Sequence, residues 1–200
     1  MRPRMEREQI YEAAIPFFAR YGFKKTTLDD IAGALDMSNT NLYLYTKSKH
    51  DLYEECVQYA KEKWQDYVRQ QSEALEDPKE KLLATFRSAL AYLIFNEDVM
   101  MLLRNDPSIF PMLPDLDPVA EYNDWSVQYV KEILDDGIAK GVFRPLNTTI
   151  TSVLLFGWYK YIILSSLGMK EESLSPELLE ETLRTMSSLL FNGLLTEPEE

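Results

Sequence analysis

At Asp77-Pro78, Asp117-Pro118 and Ser175-Pro176 this chain places a capping residue directly before a proline. A side chain that accepts from an open backbone N–H, followed by a ring with preset φ and no donor to satisfy, marks the first turn of a helix. Glu80 strengthens the first of these by reaching back to its cap. Thr27-Leu-Asp-Asp30 and Ser48-Lys-His-Asp51 read as capping boxes with Asp in place of Glu. Gly22, Gly141 and Gly168 stand where helices should stop. Between these marks the apolar residues recur at helical spacing, and no alternating pattern is long enough to compete as a strand. The pattern predicts nine helices over about 5–21, 27–34, 38–45, 48–75, 78–95, 97–104, 118–140, 148–167 and 176–195. The fold class is therefore all-α. The segment Asn105–Asp117, with Pro107, Pro111 and Pro114, is the one long irregular connection, and no internal repeat is evident.

Charge separates the front of the chain from the rest. Net charge is −12, yet residues 1–50 hold eight basic against six acidic residues. Residues 51–200 hold thirteen basic and twenty-seven acidic ones. A small neutral-to-basic head on an acidic body follows, and only the head suits phosphates. Hydrophobic residues make up 46% of the chain, enough for a core. The longest apolar run, Val153–Tyr159, ends at Lys160 and falls well short of the roughly 20 residues of a membrane span. The start of the chain lacks the apolar segment of a secretory signal, and Cys56 is the single cysteine. Both point to a cytoplasmic protein without disulfides.

Residues Thr27 to Tyr45 have helix-turn-helix proportions: a short helix, a tight turn at Leu35 and Asp36, and a second short helix. Leu28, Ile31, Ala32 and Leu35 share one face of the first helix. Met37 and Leu42 point inward from the second, which leaves Asn39, Thr40, Asn41, Tyr43 and Tyr45 outside. Amides, hydroxyls and phenols on an exposed face can hydrogen-bond base edges and phosphate oxygens. Pro16 falls inside the first helix on a face shared with Glu12 and Arg20. It predicts a kink there, with water satisfying the freed carbonyl.

With these pieces in place, the sequence resembles the TetR (tetracycline repressor) family of regulators. The resemblance rests on Ile10-Tyr-Glu-Ala-Ala, Phe17-Phe-Ala-Arg-Tyr-Gly-Phe23, Thr27-Leu-Asp-Asp-Ile-Ala32, Met37-Ser38, Leu42-Tyr43, Lys47-Ser-Lys49 and Leu52. It covers about residues 8–53, with a weaker echo at Gly141-Val-Phe-Arg144. It implies phosphate contacts for Thr27, Tyr43 and Lys49, the last helped by a helix N-terminus. Ser38 would cap the recognition helix, Asn39, Thr40 and Asn41 would face the major groove, and Arg2, Arg4 and Arg7 would follow the DNA backbone or enter a minor groove. The chain departs from the family at Asp36 and Thr40, where glycine is common, and at Tyr45-Thr46, where His-Phe is common. Tyr45 or Tyr53 would fill the space left at Thr46.

The expected organisation is a DNA-binding domain at 1–50 and a ligand-binding and dimerisation domain at 51–200. In the family the last two helices pair across a homodimer. Helices 148–167 and 176–195 carry apolar residues on more than one face, which suits such a bundle. Phe86, Tyr122, Trp125, Tyr129, Trp158 and Tyr161 are the aromatic candidates for an effector pocket. Such a pocket would take a hydrophobic or amphipathic molecule. The resemblance also implies a palindromic operator on duplex DNA and repression relieved by the effector. No cofactor, metal or membrane partner is expected.

An enzyme is disfavoured. His50 is the single histidine, so a Ser-His-Asp triad or multi-histidine metal cluster has little to draw on, and no Gly-rich phosphate loop occurs. His50 is expected in the first turn of the fourth helix and Cys56 in the core. A helical adaptor or oligomerisation protein is the other alternative. It would explain the apolar final helices but not the polar face of the short helix or the charge split.

Overall fold

The computed structural model describes residues 5–109, 124–168 and 176–194. Among them are nine α-helices: α1 Arg7–Lys25, α2 Leu28–Ala34, α3 Asn39–Leu42, α4 Lys49–Ser72, α5 Pro78–Phe95, α6 Glu97–Asn105, α7 Trp125–Ala139, α8 Thr148–Gly168 and α9 Pro176–Leu194. A 3-10 turn, Pro107–Ile109, follows α6 within the segment expected to be irregular.

Helix starts follow the capping chemistry. Thr27 Oγ1 accepts from the Asp30 N–H, and the Thr27 N–H donates back to Asp30 Oδ2 at 3.2 Å. The Asp51 N–H donates to Ser48 Oγ, and the Lys79 N–H to Asp77 Oδ1. α9 begins at Pro176 as expected, whereas Asp117-Pro118 lies outside the described residues. α7 is seen from Trp125, where the Asp124 carboxylate accepts from the Ser126 N–H.

Two helix ends are closed by the same device. After α2, the Met37 N–H donates to Ala32 O and the Asp36 N–H to Gly33 O. After α7, Val142 donates to Gly137 O and Gly141 to Ile138 O. These are Schellman closures, which place one residue in the left-handed region. Gly141 (φ 72) adopts it freely, while Asp36 (φ 51) does so with a side chain.

The first helix corrects one expectation. Its dihedrals stay helical through Pro16, and the break falls six residues later at Gly22 (φ 74, ψ 164). Pro16 is exposed together with Glu12 and Arg20, so the wet face was placed correctly. The carbonyl that Pro16 frees belongs to the exposed Glu12, and the interruption goes to the residue without a Cβ.

The described residues pack as two compact units, one drawn from 1–66 and 92–109, the other from 67–91 and 110–200. The first centres on Ile10, Ala14, Phe18, Ile31, Leu42 and Leu52, with α1 lying along α6. Cys56 is fully buried in this core, and burial pushes its thiol up to about 12. It is a small core residue held as the neutral thiol. In the second unit α7 packs along α8, burying Val127, Val130, Ile133 and Leu134 on one side and Leu155, Phe156 and Ile163 on the other. No helix among the described residues is long and apolar enough to cross a membrane.

Candidate nucleic-acid interface

The helix-turn-helix is positioned by two anchors. Leu42, fully buried, ties α3 to the core beside Ile31 and Phe18. Ser38 caps α3, its Oγ accepting from the Asn41 N–H at 3.3 Å. α3 is one turn shorter than expected at its C-terminal end. Beyond Leu42 the chain continues in tight turns, with the Leu44 N–H donating to Asn41 O and Tyr45 to Leu42 O.

Those tight turns decide which side chains face out. Thr40 and Asn41 are exposed, Tyr43 is 52% exposed and Leu44 76%. Leu44 was not among the residues expected from the sequence. An apolar residue beside Tyr43 in a polar stretch is a signal that helical periodicity, applied past Leu42, assigned to neither face. Asn39 is half-buried, and its Oδ1 is enclosed without a hydrogen-bond partner.

Tyr45, expected outside, is half-buried against the core, and its phenol oxygen accepts from the Met5 N–H at 3.2 Å. The i→i−3 turn precedes this inward placement, and Tyr45 packs against the core of the first unit. Thr46 is itself buried, donating from Oγ1 to Ser48 O. Tyr53 supplies the rest of the aromatic packing, edge-on to Phe18 and tilted against Phe23.

Lys49 differs most from its expected place at a phosphate. Its Nζ donates to Phe23 O at 2.8 Å and Thr26 O at 3.0 Å, with Lys24 O at 3.5 Å, and lies 4.5 Å from the Phe23 ring centroid. The ammonium thus sits on the carbonyls left open where α1 ends, at the negative end of that helix dipole. Lys47, two residues earlier, is exposed and makes no ion pair or hydrogen bond among the described residues. Arg7 pairs with Glu55 at 3.2 Å, while Arg2 and Arg4 lie outside the described residues.

His50 stands exposed in the first turn of α4, its Nδ1 3.4 Å from Glu54 Oε2. With Asp51 the pair brings three ligand-type atoms within 4.8 Å of one another. The grouping lies at the start of α4 and joins one histidine to two carboxylates.

The five aromatic pocket candidates among the described residues do not converge. Phe86 is buried on α5, its ring 5.5 Å from that of Tyr159. Trp125 and Tyr129 stack on each other at 5.0 Å, Arg69 covers Trp125, and the Tyr129 hydroxyl bonds Ser72 Oγ at 2.8 Å. Trp158 and Tyr161 instead share an exposed stripe of α8 with Ile150 and Leu154. Those four are spaced i, i+4, i+8 and i+11, on a face distinct from that of Leu155, Tyr159 and Ile163. Tyr122 lies outside the described residues.

Comparison with known proteins agrees with this geometry. The family model described as "Bacterial regulatory proteins, tetR family" matches residues 10–56. The HTH-type transcriptional repressor KstR2 of Mycolicibacterium smegmatis is 27% identical over 143 residues, 72% of this chain and 70% of that one. Among solved structures, a TetR-family transcriptional regulator from Pectobacterium atrosepticum superposes with a TM-score of 0.74 at 19% identity, covering 96% of this chain and 95% of the other. The fatty acid degradation regulator FadR of Bacillus halodurans gives 0.73 at 20% identity, covering 94% and 96%. The N-terminal module of this chain is thus similar to that of the TetR family of bacterial regulators, and its helical fold is shared with solved structures of TetR-family proteins.

Proposed function

We propose that this regulator is a repressor that binds a palindromic operator as a homodimer and leaves it when a small hydrophobic or amphipathic effector binds. The observation that carries the reading is the outward set Thr40, Asn41, Tyr43 and Leu44 on a capped recognition helix. Asn41 and Thr40 supply donors and acceptors for base edges, and Leu44 an apolar surface of the kind that meets a thymine methyl. Thr27, Tyr43 and Lys47 are the phosphate contacts in this reading. Lys49 holds the module together, and Tyr45 supports it from behind. The relative KstR2 is itself named a transcriptional repressor.

The DNA-binding function is assigned to residues 1–50 and the effector and dimer functions to 51–200. Dimerisation is supported by the exposed stripe Ile150, Leu154, Trp158 and Tyr161 on α8. Gly157 lies within it, and a Cβ added there meets nothing within 4 Å in the protomer, leaving a slot for a second helix. Two recognition helices would then meet half-sites about 34–36 Å apart, so a small change in their spacing prevents joint engagement. α4 runs unbroken from Lys49 to Ser72 and is the element that would carry such a change.

Selection of bound sequences from random duplex DNA tests the reading. Enrichment of a palindrome, with affinity falling steeply as salt rises, is the expected result. A protein that enriches nothing is no operator-binding regulator, and a helical adaptor becomes the better description.

A further inference from the structure

Among the described residues of the second unit, the buried hydroxyls are nearly all provided for by the fold. Ser72 Oγ donates to Val68 O, Thr85 Oγ1 to Lys81 O, Ser88 Oγ to Thr85 O and Ser152 Oγ to Thr149 O. Tyr159 is the exception. It is 3% exposed, and its phenol oxygen is enclosed without a hydrogen-bond partner. An unsatisfied buried donor costs about as much as a lost hydrogen bond, so a partner absent from the free protomer would be strongly favoured.

A lone water answers poorly, because an enclosed water needs two to four polar contacts. Around Tyr159, Leu155, Phe156 and Ile163 line the buried face of α8, and Phe86 tilts against the ring from α5. Phe86 also lines a cavity of about 20 Å³ with Leu82, Leu190, Phe191 and the polar Arg87 and Ser187. Phe86 therefore touches both that cavity and the Tyr159 ring. Burial holds the Tyr159 phenol well above its usual range, so it is a neutral O–H donor at any physiological pH.

We propose that Tyr159 is the polar anchor of the effector site, donating its hydrogen bond to an uncharged carbonyl oxygen on an otherwise apolar effector that enters beside Phe86. This rests on the effector-responsive reading above and names the chemistry recognised. An uncharged acceptor suits Leu155, Ile163 and Phe86, which would strip a carboxylate of its water, while the buried Lys160 ammonium is engaged 5.0 Å from the Phe156 ring centroid.

The test uses the full chain, Tyr159→Phe, and carbonyl probes from cyclohexanone to 2-undecanone, with undecane and undecanoate as controls. Without additive, the variant should melt at the same temperature as the wild type or higher, since it loses only an unsatisfied hydroxyl. A fall of several degrees would show that the hydroxyl is bonded within the fold and would overturn the proposal. With the probes, at least one ketone should raise the wild-type melting temperature more than undecane does, and bind Tyr159→Phe at least tenfold more weakly. Equal ketone binding by both proteins, no ketone binding, or a preference for undecanoate would each overturn it. Loss of palindrome selection with ketone binding intact would sink the repressor reading and leave the anchor standing.

Discussion

Lys49 Nζ donates to the backbone oxygen of Phe23 at 2.8 Å and lies 4.5 Å from the centroid of the same residue's ring. One ammonium therefore closes the end of α1 and fastens it to the start of α4, behind the helix-turn-helix. Lys49→Met keeps the aliphatic stem and removes the donors. Urea unfolding should show a loss of about 1–3 kcal/mol. The slope of log affinity for DNA against log salt should stay unchanged. A slope reduced by about one unit would return Lys49 to a phosphate.

Lys47→Ala should give the opposite signature, leaving stability intact and lowering the salt slope. Tyr43→Ala should likewise weaken binding to all sequences alike. Asn41→Ala should cost about 1–3 kcal/mol and relax preference at one base position. Selection repeated with each variant distinguishes these outcomes, and a uniform loss from Asn41→Ala would remove it from base readout.

Asp36 holds a left-handed conformation that glycine adopts without strain. Asp36→Gly should raise stability by about 1 kcal/mol, and Asp36→Val should lower it by more. Thermal melts of the two variants check the pair. Gel-shift affinity should also rise for Asp36→Gly, because a negative charge leaves the edge of the DNA face.

Gly137 is required by contact, not by conformation. A Cβ added there would lie 2.0 Å from Cδ2 of Phe143, a ring only 1% exposed and unable to swing aside. Gly137→Ala should destabilise by about 2–3 kcal/mol in denaturant titration. Phe143→Leu combined with it should recover part of the loss, since the shorter side chain vacates the clash.

Asp106 accepts from the Tyr53 hydroxyl at 2.7 Å and from the Ser108 N–H at 3.1 Å. Burial alone would raise this carboxyl, but the hydrogen bonds from Ser108 and Tyr53 outweigh it and hold it below the ordinary aspartate range. Its folded value being the lower one, the stabilisation is present above about pH 4 and disappears as pH falls through the folded value. Tyr53→Phe should cost about 1 kcal/mol at neutral pH. The gap from wild type should close near pH 2, and a gap constant across that range would exclude the linkage.

Much of this protein was determined by local chemistry in the sequence. Helix starts at Thr27, Asp77 and Pro176 and helix ends at Gly22 and Gly141 follow from which residues can cap a backbone or adopt positive φ. The buried faces of α2 and α3 follow from spacing, and so does the outward placement of Thr40, Asn41 and Tyr43. Tertiary structure decided what spacing cannot express. The i→i−3 turns after Leu42 sent Tyr45 inward and Leu44 outward, because the true period there is not 3.6. Lys49 went to three carbonyls instead of standing free, because the fold brings Phe23, Lys24 and Thr26 to it across more than twenty residues of chain. In the same way packing separated Phe86 from Trp158 and left the Tyr159 hydroxyl without a partner. A helix pattern names the faces of each helix, and only their assembly decides which face meets a neighbour and which polar atom is left to a ligand.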